Sequence, residues 1–129
     1  MNINESAENY LETILILSNN LPVVRSIDVA TELNYKKSSV SVAMKSLRQK
    51  ECITISDEGY IFLTETGKKI AHMVYEKHTF LSGWLELLGV DSKIASEDAC
   101  RIEHVISNES FEAIKKHVKE SNTDTHLFL

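Results

Sequence analysis

A chain of 129 residues holds one ordinary domain or two small ones, and its 43% apolar and 26% charged residues are those of a soluble globular protein. No apolar run approaches the ~18 residues needed to cross a bilayer, and no basic start followed by an apolar stretch marks a signal peptide. A cytoplasmic protein with no membrane partner is therefore expected, and a net charge of −5 argues, by its sum alone, against a nucleic-acid partner.

In chain order, Tyr10, Leu11, Ile14, Leu15 and Leu17 recur at helical spacing until the breaker-rich Ser18-Asn19-Asn20-Leu21-Pro22, which predicts a helix over about 5–18. Ser26 can cap a second helix that turns Ile27, Val29, Ala30 and Leu33 inward. Asn34-Tyr35 then makes a short turn. A third helix over about 37–50 buries Val40, Met44 and Leu47 and leaves Lys36, Lys37, Ser38, Ser39, Ser41, Val42 and Lys45 at its start or outer face. Two short helices joined by a tight turn, the second basic and rich in hydroxyls, read as a helix-turn-helix.

The β-rich runs Ile53-Thr54-Ile55 and Tyr60-Ile61-Phe62-Leu63, separated by Ser56-Asp57-Glu58-Gly59, predict a hairpin. Placed directly after a helix-turn-helix, the hairpin makes a winged helix. Thr64 caps a long helix over about 65–87 with Ile70, Met73, Val74, Lys77, Leu81 and Leu85 on one side, and Gly89 ends it. Asp91 or Ser92 starts a helix to about 106, and Ser107 caps a last one to about 120. The expected fold is mainly α, with a winged helix-turn-helix DNA-binding domain over 1–64, an all-helical domain over 65–121 and a flexible tail over 122–129. Three helices with a strong apolar side, Phe80, Trp84 and Leu88 included, are too few to bury that side alone and imply a homodimer.

Charge is polarised along the chain. Lys36, Lys37, Lys45, Arg48 and Lys50 fall between positions 36 and 50 with no acid among them, whereas residues 86–112 hold seven acids and two bases. Screening over about 8 Å lets the basic surface meet DNA despite the acids farther off. Lys36, Lys37, Lys45 and Arg48 suit phosphates, while Ser38, Ser39, Ser41 and Val42 are placed to meet base edges.

Within the fifth helix, Cys100, Glu103 and His104 stand at i, i+3 and i+4, offsets that share one helix face. A thiol, a carboxylate and an imidazole so placed are a divalent-metal signal. Cys52, the other cysteine, is 48 residues away and reads as a small apolar filler, and neither cysteine lies in a CxxC pair. His72 and His117 lack partners in the pattern and are expected to face solvent, and His126 falls in the tail.

Glu8-Asn9-Tyr10-Leu11-Glu12-Thr13-Ile14, Ser38-Ser39-Val40-Ser41, Leu63-Thr64-Glu65-Thr66-Gly67, Lys77-His78 and Ala99 through Ser107 together resemble the iron- and manganese-dependent repressors related to diphtheria toxin repressor and manganese transport regulator. The resemblance covers nearly the whole chain and matches the short class that lacks an SH3-like third domain. It implies a metal-binding and dimerisation role for the helical half, and a metal-loaded homodimer that binds double-stranded operator DNA to repress metal-uptake genes. It also implies ligands: Cys100, Glu103 and His104 match the primary triplet of iron-type members, His78 the histidine of the long helix, and Glu12 a carboxylate of manganese-type members. Asn9 stands where the family has a Met or Asp ligand. Ser82 and Ser96 replace a Glu and a His of the ancillary iron-type site, and Val42 replaces a Gln of the recognition helix.

The expected ion is Fe2+ or Mn2+, since thiolate and imidazole donors favour Fe(II), Co(II) or Zn(II) and the carboxylates draw toward Mn(II) or Fe(II). Ligation needs the Cys100 thiolate and neutral His78 and His104, so affinity should fall on acidification. Two other classes fit less well. One is a winged-helix regulator with a vestigial metal response. The other is an enzyme using Cys100 and His104, which on one helix have no evident oxyanion hole or substrate cleft, so neither catalysis nor a small-molecule substrate is expected.

Overall fold

The computed structural model describes residues 4–125, with six helices and one two-stranded sheet among them. His126 and the end of the tail lie outside the described residues. By contacts the chain divides into two compact units, one ending at Val74 and one beginning at Tyr75.

The N-terminal unit opens with α1 (Glu5–Asn20), where the Asn4 side chain accepts from the Ala7 N–H at 2.8 Å and so satisfies a donor that the first turn leaves without a partner. α2 (Ser26–Leu33) begins one residue earlier than expected of a Ser26 cap. Arg25 takes the cap position, and its backbone N–H donates to the Asp28 carboxylate at 2.9 Å. Asn34 ends α2 with φ of 57°, a left-handed conformation that Asn tolerates better than most residues. α3 (Lys37–Gln49) follows after the short turn that the sequence predicts.

Strands β1 (Ile53–Ile55) and β2 (Ile61–Leu63) pair antiparallel, Ile53 opposite Leu63 and Ile55 opposite Ile61. Gly59 closes their turn at φ of 85°. Val24 accepts from the Ile61 N–H at 2.8 Å, which ties the wing to the segment before α2. At the same place the Arg25 guanidinium lies over the Tyr60 ring at 4.8 Å and donates to its hydroxyl at 3.2 Å. Leu11, Ile14, Val29, Val40, Met44, Leu47, Ile53 and Ile61 fill the core of this unit, each fully buried. Burial of each such side chain stabilises the fold by about 1.5–3 kcal/mol.

The long α4 (Glu65–Leu87) starts where the motif Thr64-Glu65-Thr66-Gly67 predicts. Thr64 Oγ1 donates to the Glu51 carbonyl at 2.7 Å and accepts from the Gly67 N–H at 3.1 Å, so one hydroxyl both caps the helix and anchors it to the chain before β1. Gly67 is required by contact rather than by conformation: a Cβ there would collide with the Cys52 carbonyl. Ile70 and Ala71 pack into the N-terminal core, and the first compact unit ends inside α4, at Val74.

The second unit holds the rest of α4, α5 (Ser92–Val105) and α6 (Asn108–Thr125). Asp91 caps α5, accepting from the Lys93 N–H at 3.1 Å, and Ser107 caps α6, accepting from the Ser110 N–H at 3.1 Å. α6 continues through residues 122–125, part of the stretch expected as a flexible tail. No Gly or Pro stands after Gly89 to stop it. Leu81, Ala99 and Phe111 form the buried centre of the unit, with Phe80 set edge-on to Phe111 at 5.6 Å. Phe80 and Trp84, expected at a dimer face, are partly buried and pack against this cluster. Lys77 is buried with its ammonium 6.0 Å from the Phe111 ring, and Lys115, 5.3 Å from that ring, also pairs with Glu76 at 3.4 Å. Tyr75, Leu87, Leu88, Ile94 and Val105 remain exposed.

Candidate metal centre and nucleic-acid interface

α5 is amphipathic, with Ala95, Ala99 and Glu103 on its buried side. Two of these are small apolar residues that let the helix pack closely, and the third is a carboxylate. A glutamate in that position is expensive, because an ionised group removed from water costs several kcal/mol unless it is compensated. Its neighbours are donors of the same kind as itself. Cys100 Sγ, a Glu103 oxygen and a His104 ring nitrogen lie within 4.8 Å of one another. The Glu103 and His104 side chains are fully buried, and Glu103 Oε1 is 3.3 Å from His104 Nε2. From α4, His78 brings Nδ1 to 3.0 Å from Glu103 Oε2, while its Nε2 faces Ser96 Oγ at 3.5 Å.

These approaches lack hydrogen-bond angles, so both Glu103 oxygens are buried yet accept no hydrogen bond from the described residues. A buried carboxylate that accepts no hydrogen bond calls for positive charge beside it. A proton on an imidazole would answer only part of that demand. A divalent transition ion answers it fully, and the mixed sulfur, nitrogen and oxygen set suits that class of ion. The residues present therefore fit a bound divalent metal.

The structure brings Cys100, Glu103 and His104 together on α5, and His78, expected as a ligand from the resemblance, meets Glu103 from α4. Asn9 and Glu12 lie on α1 of the N-terminal unit, Asn9 half-buried and Glu12 buried. Ser96 was noted in the sequence only as a departure from a family ligand. Its position beside His78 depends on how α4 packs against α5, which no local pattern reveals.

On α3, Lys36 occupies the N-cap, and Lys37, Ser38, Ser39, Ser41, Val42, Lys45 and Arg48 are all exposed, opposite the buried Val40, Met44 and Leu47. Gln49, absent from the sequence-based set, shares this exposed side. Arg25 and Tyr60 add an exposed cation at the base of the wing, 35 positions apart in sequence and so beyond any spacing rule.

A winged helix followed by a helical unit with a thiol, carboxylate and imidazole cluster defines a metal-responsive DNA-binding regulator. The comparisons with known proteins agree. A family model described as "Iron dependent repressor, N-terminal DNA binding domain" matches residues 2–60, and one described as "Iron dependent repressor, metal binding and dimerisation domain" matches residues 64–127. An uncharacterized HTH-type transcriptional regulator of Methanocaldococcus jannaschii is 37% identical over 116 residues, 88% of this chain and 92% of that protein. The transcriptional regulator MntR of Escherichia coli O157:H7 is 31% identical over 111 residues, 86% of this chain and 72% of MntR. The structure of the manganese regulator SloR shares the fold, with a TM-score of 0.78 at 24% identity over 92% of this chain and 55% of SloR. The chain belongs to the iron-dependent repressor family of metal-dependent transcriptional regulators, which bind operator DNA as dimers and use divalent metals such as Fe2+ or Mn2+. Among the described residues no helix is long and apolar enough to cross a membrane.

Proposed function

We propose that this chain is a cytoplasmic, non-enzymatic repressor of metal-uptake genes whose operator binding depends on Cys100, Glu103, His104 and His78 ligating one divalent metal. The observation that carries the reading is the buried Glu103 carboxylate, flanked by two imidazoles and a thiol, with no hydrogen bond to either oxygen from the described residues. Asn9 and Glu12 are proposed as the remaining ligands on the strength of the resemblance. Bound metal supplies the positive charge that the donors need at Glu103. The chain's own part is to hold the donors: α5 fixes three of them by its spacing, and α4 contributes His78. Because the proposed ligands come from α1 as well as from α4 and α5, ligation selects the arrangement of the reading heads that suits DNA. Linkage then requires operator DNA to tighten metal binding by the same factor, ordinarily about 1–3 kcal/mol.

Lys36, Lys37, Lys45 and Arg48 are proposed to hold phosphates, with Ser38, Ser39, Ser41 and Val42 at base edges. Residues 1–64 are the proposed DNA-reading part and 65–121 the proposed metal-binding and dimerisation part. Anaerobic metal analysis of the purified protein, paired with a fluorescence-anisotropy DNA titration with and without chelator, tests the proposal. One metal-bound state with chelator-sensitive DNA binding is expected; chelator-insensitive binding contradicts it.

A further inference from the structure

We propose that Val42 sets base choice in the operator by seating its side chain against a thymine C5-methyl in the major groove, an inference that rests on the reading of α3 as the DNA-facing helix. α3 turns Val40, Met44 and Leu47 into the core, and at 3.6 residues per turn Val42 stands on the side directly opposite. It is 68% exposed, more than any other large apolar residue described in the N-terminal unit. Ser38, Lys45 and Gln49 run above and below it on the same strip, all exposed. An apolar side chain at the centre of a polar, basic strip adds nothing to the core of this fold, so its use lies in what the strip meets.

Val42 has no donor or acceptor. Of the groups that base pairs present in the major groove, the thymine C5-methyl is the apolar one, and cytosine carries only a hydrogen at that position. A β-branched side chain in a helix also holds one χ1 rotamer about 90% of the time, so the two γ-methyls are presented with little entropy left to lose. The serine hydroxyls around it serve several bases and discriminate less. Lys45 suits a phosphate. Val42 is thus the residue on this strip whose chemistry separates thymine from cytosine.

The test selects random duplexes in Mn(II) with the full chain as wild type, Val42→Ala and Val42→Gln, all of which leave the α3 core untouched. Wild type is expected to enrich a motif with a fixed thymine once per half-site, and both variants to relax or change that base while keeping the others. Replacing that thymine by deoxyuridine removes only the methyl. It should weaken wild type by about fourfold per half-site, the worth of one buried methyl-sized group, and leave Val42→Ala unchanged. An enriched motif with the same thymine preference in Val42→Ala, or equal binding of the uridine duplex by wild type, overturns this inference alone. A wild type that enriches no sequence overturns both the inference and the reading of α3 on which it rests.

Discussion

The Glu103 carboxylate lies 3.0 Å from His78 Nδ1, joining α5 to α4 at a buried acid whose two oxygens accept no hydrogen bond from the described residues. That relationship makes the centre costly when it lacks compensation, and this cost is measurable. Glu103→Gln removes the buried charge while keeping the shape of the side chain. Metal-free Glu103→Gln is expected to be more stable than metal-free wild type by about 1–4 kcal/mol in urea unfolding with chelator present. It should also lose the rise in stability that metal gives wild type. A metal-free variant less stable than wild type would show that Glu103 is compensated within the protein.

The two cysteines should differ sharply in reactivity. Cys52 is fully buried beneath α4, whereas Cys100 is half-buried at the centre. A native-state alkylation series is expected to label Cys100 first and Cys52 only on unfolding, and added Mn(II) or Fe(II) should protect Cys100. Labelling of Cys100 at the same rate with and without metal would remove it from the ligand set.

Burial pushes the Cys52 thiol up, and nearby Lys50 offsets this only in part. A thiol that ionises less readily folded than unfolded contributes stability that is fully present below the unfolded value and is lost as pH rises through the raised one. The window therefore opens above about 8.5. Tyr10, raised by burial and then by Tyr35, enters only above about 10. Between these values wild type should lose stability that Cys52→Ala does not lose, as read by denaturant unfolding at stepped pH.

Two glycines of α4 should respond in opposite directions. At Gly67 an added Cβ meets the Cys52 carbonyl, so Gly67→Ala is expected to cost about 3 kcal/mol. Gly83 has open space around its Cα within the same helix, so Gly83→Ala should raise stability by about 0.5–1 kcal/mol. Thermal unfolding of the two variants separates the close approach from helix propensity.

Much of this molecule was legible from local periodicity. The α3 face, the wing and the α5 triplet all depend on spacings of four residues or fewer, or on a turn between adjacent strands, and they appear where expected. What escaped was set by contacts between distant segments. Gly67 is dictated by a carbonyl 15 positions earlier, and the Arg25 and Tyr60 pair by the wing folding back. The edge-on pairing of Phe80 with Phe111 likewise joins α4 to α6 across 31 positions. The length of α6 was missed because Asn, Thr and Asp are weak helix formers, yet its backbone continues to Thr125.

Salt dependence reports on the basic face of α3. Lys45→Ala should weaken DNA binding about equally across sequences and reduce the slope of log K against log salt by about 1, whereas the Val42 variants leave that slope unchanged. Anisotropy titrations at stepped salt concentrations measure both.

The most direct measurement is an anisotropy titration of operator duplex by wild type and Glu103→Ala across a range of Mn(II) and Fe(II) concentrations, with dimerisation followed in parallel by sedimentation. Metal-dependent binding is expected for wild type and none for Glu103→Ala, with both still dimeric. Equal metal dependence in the two proteins would contradict the proposal.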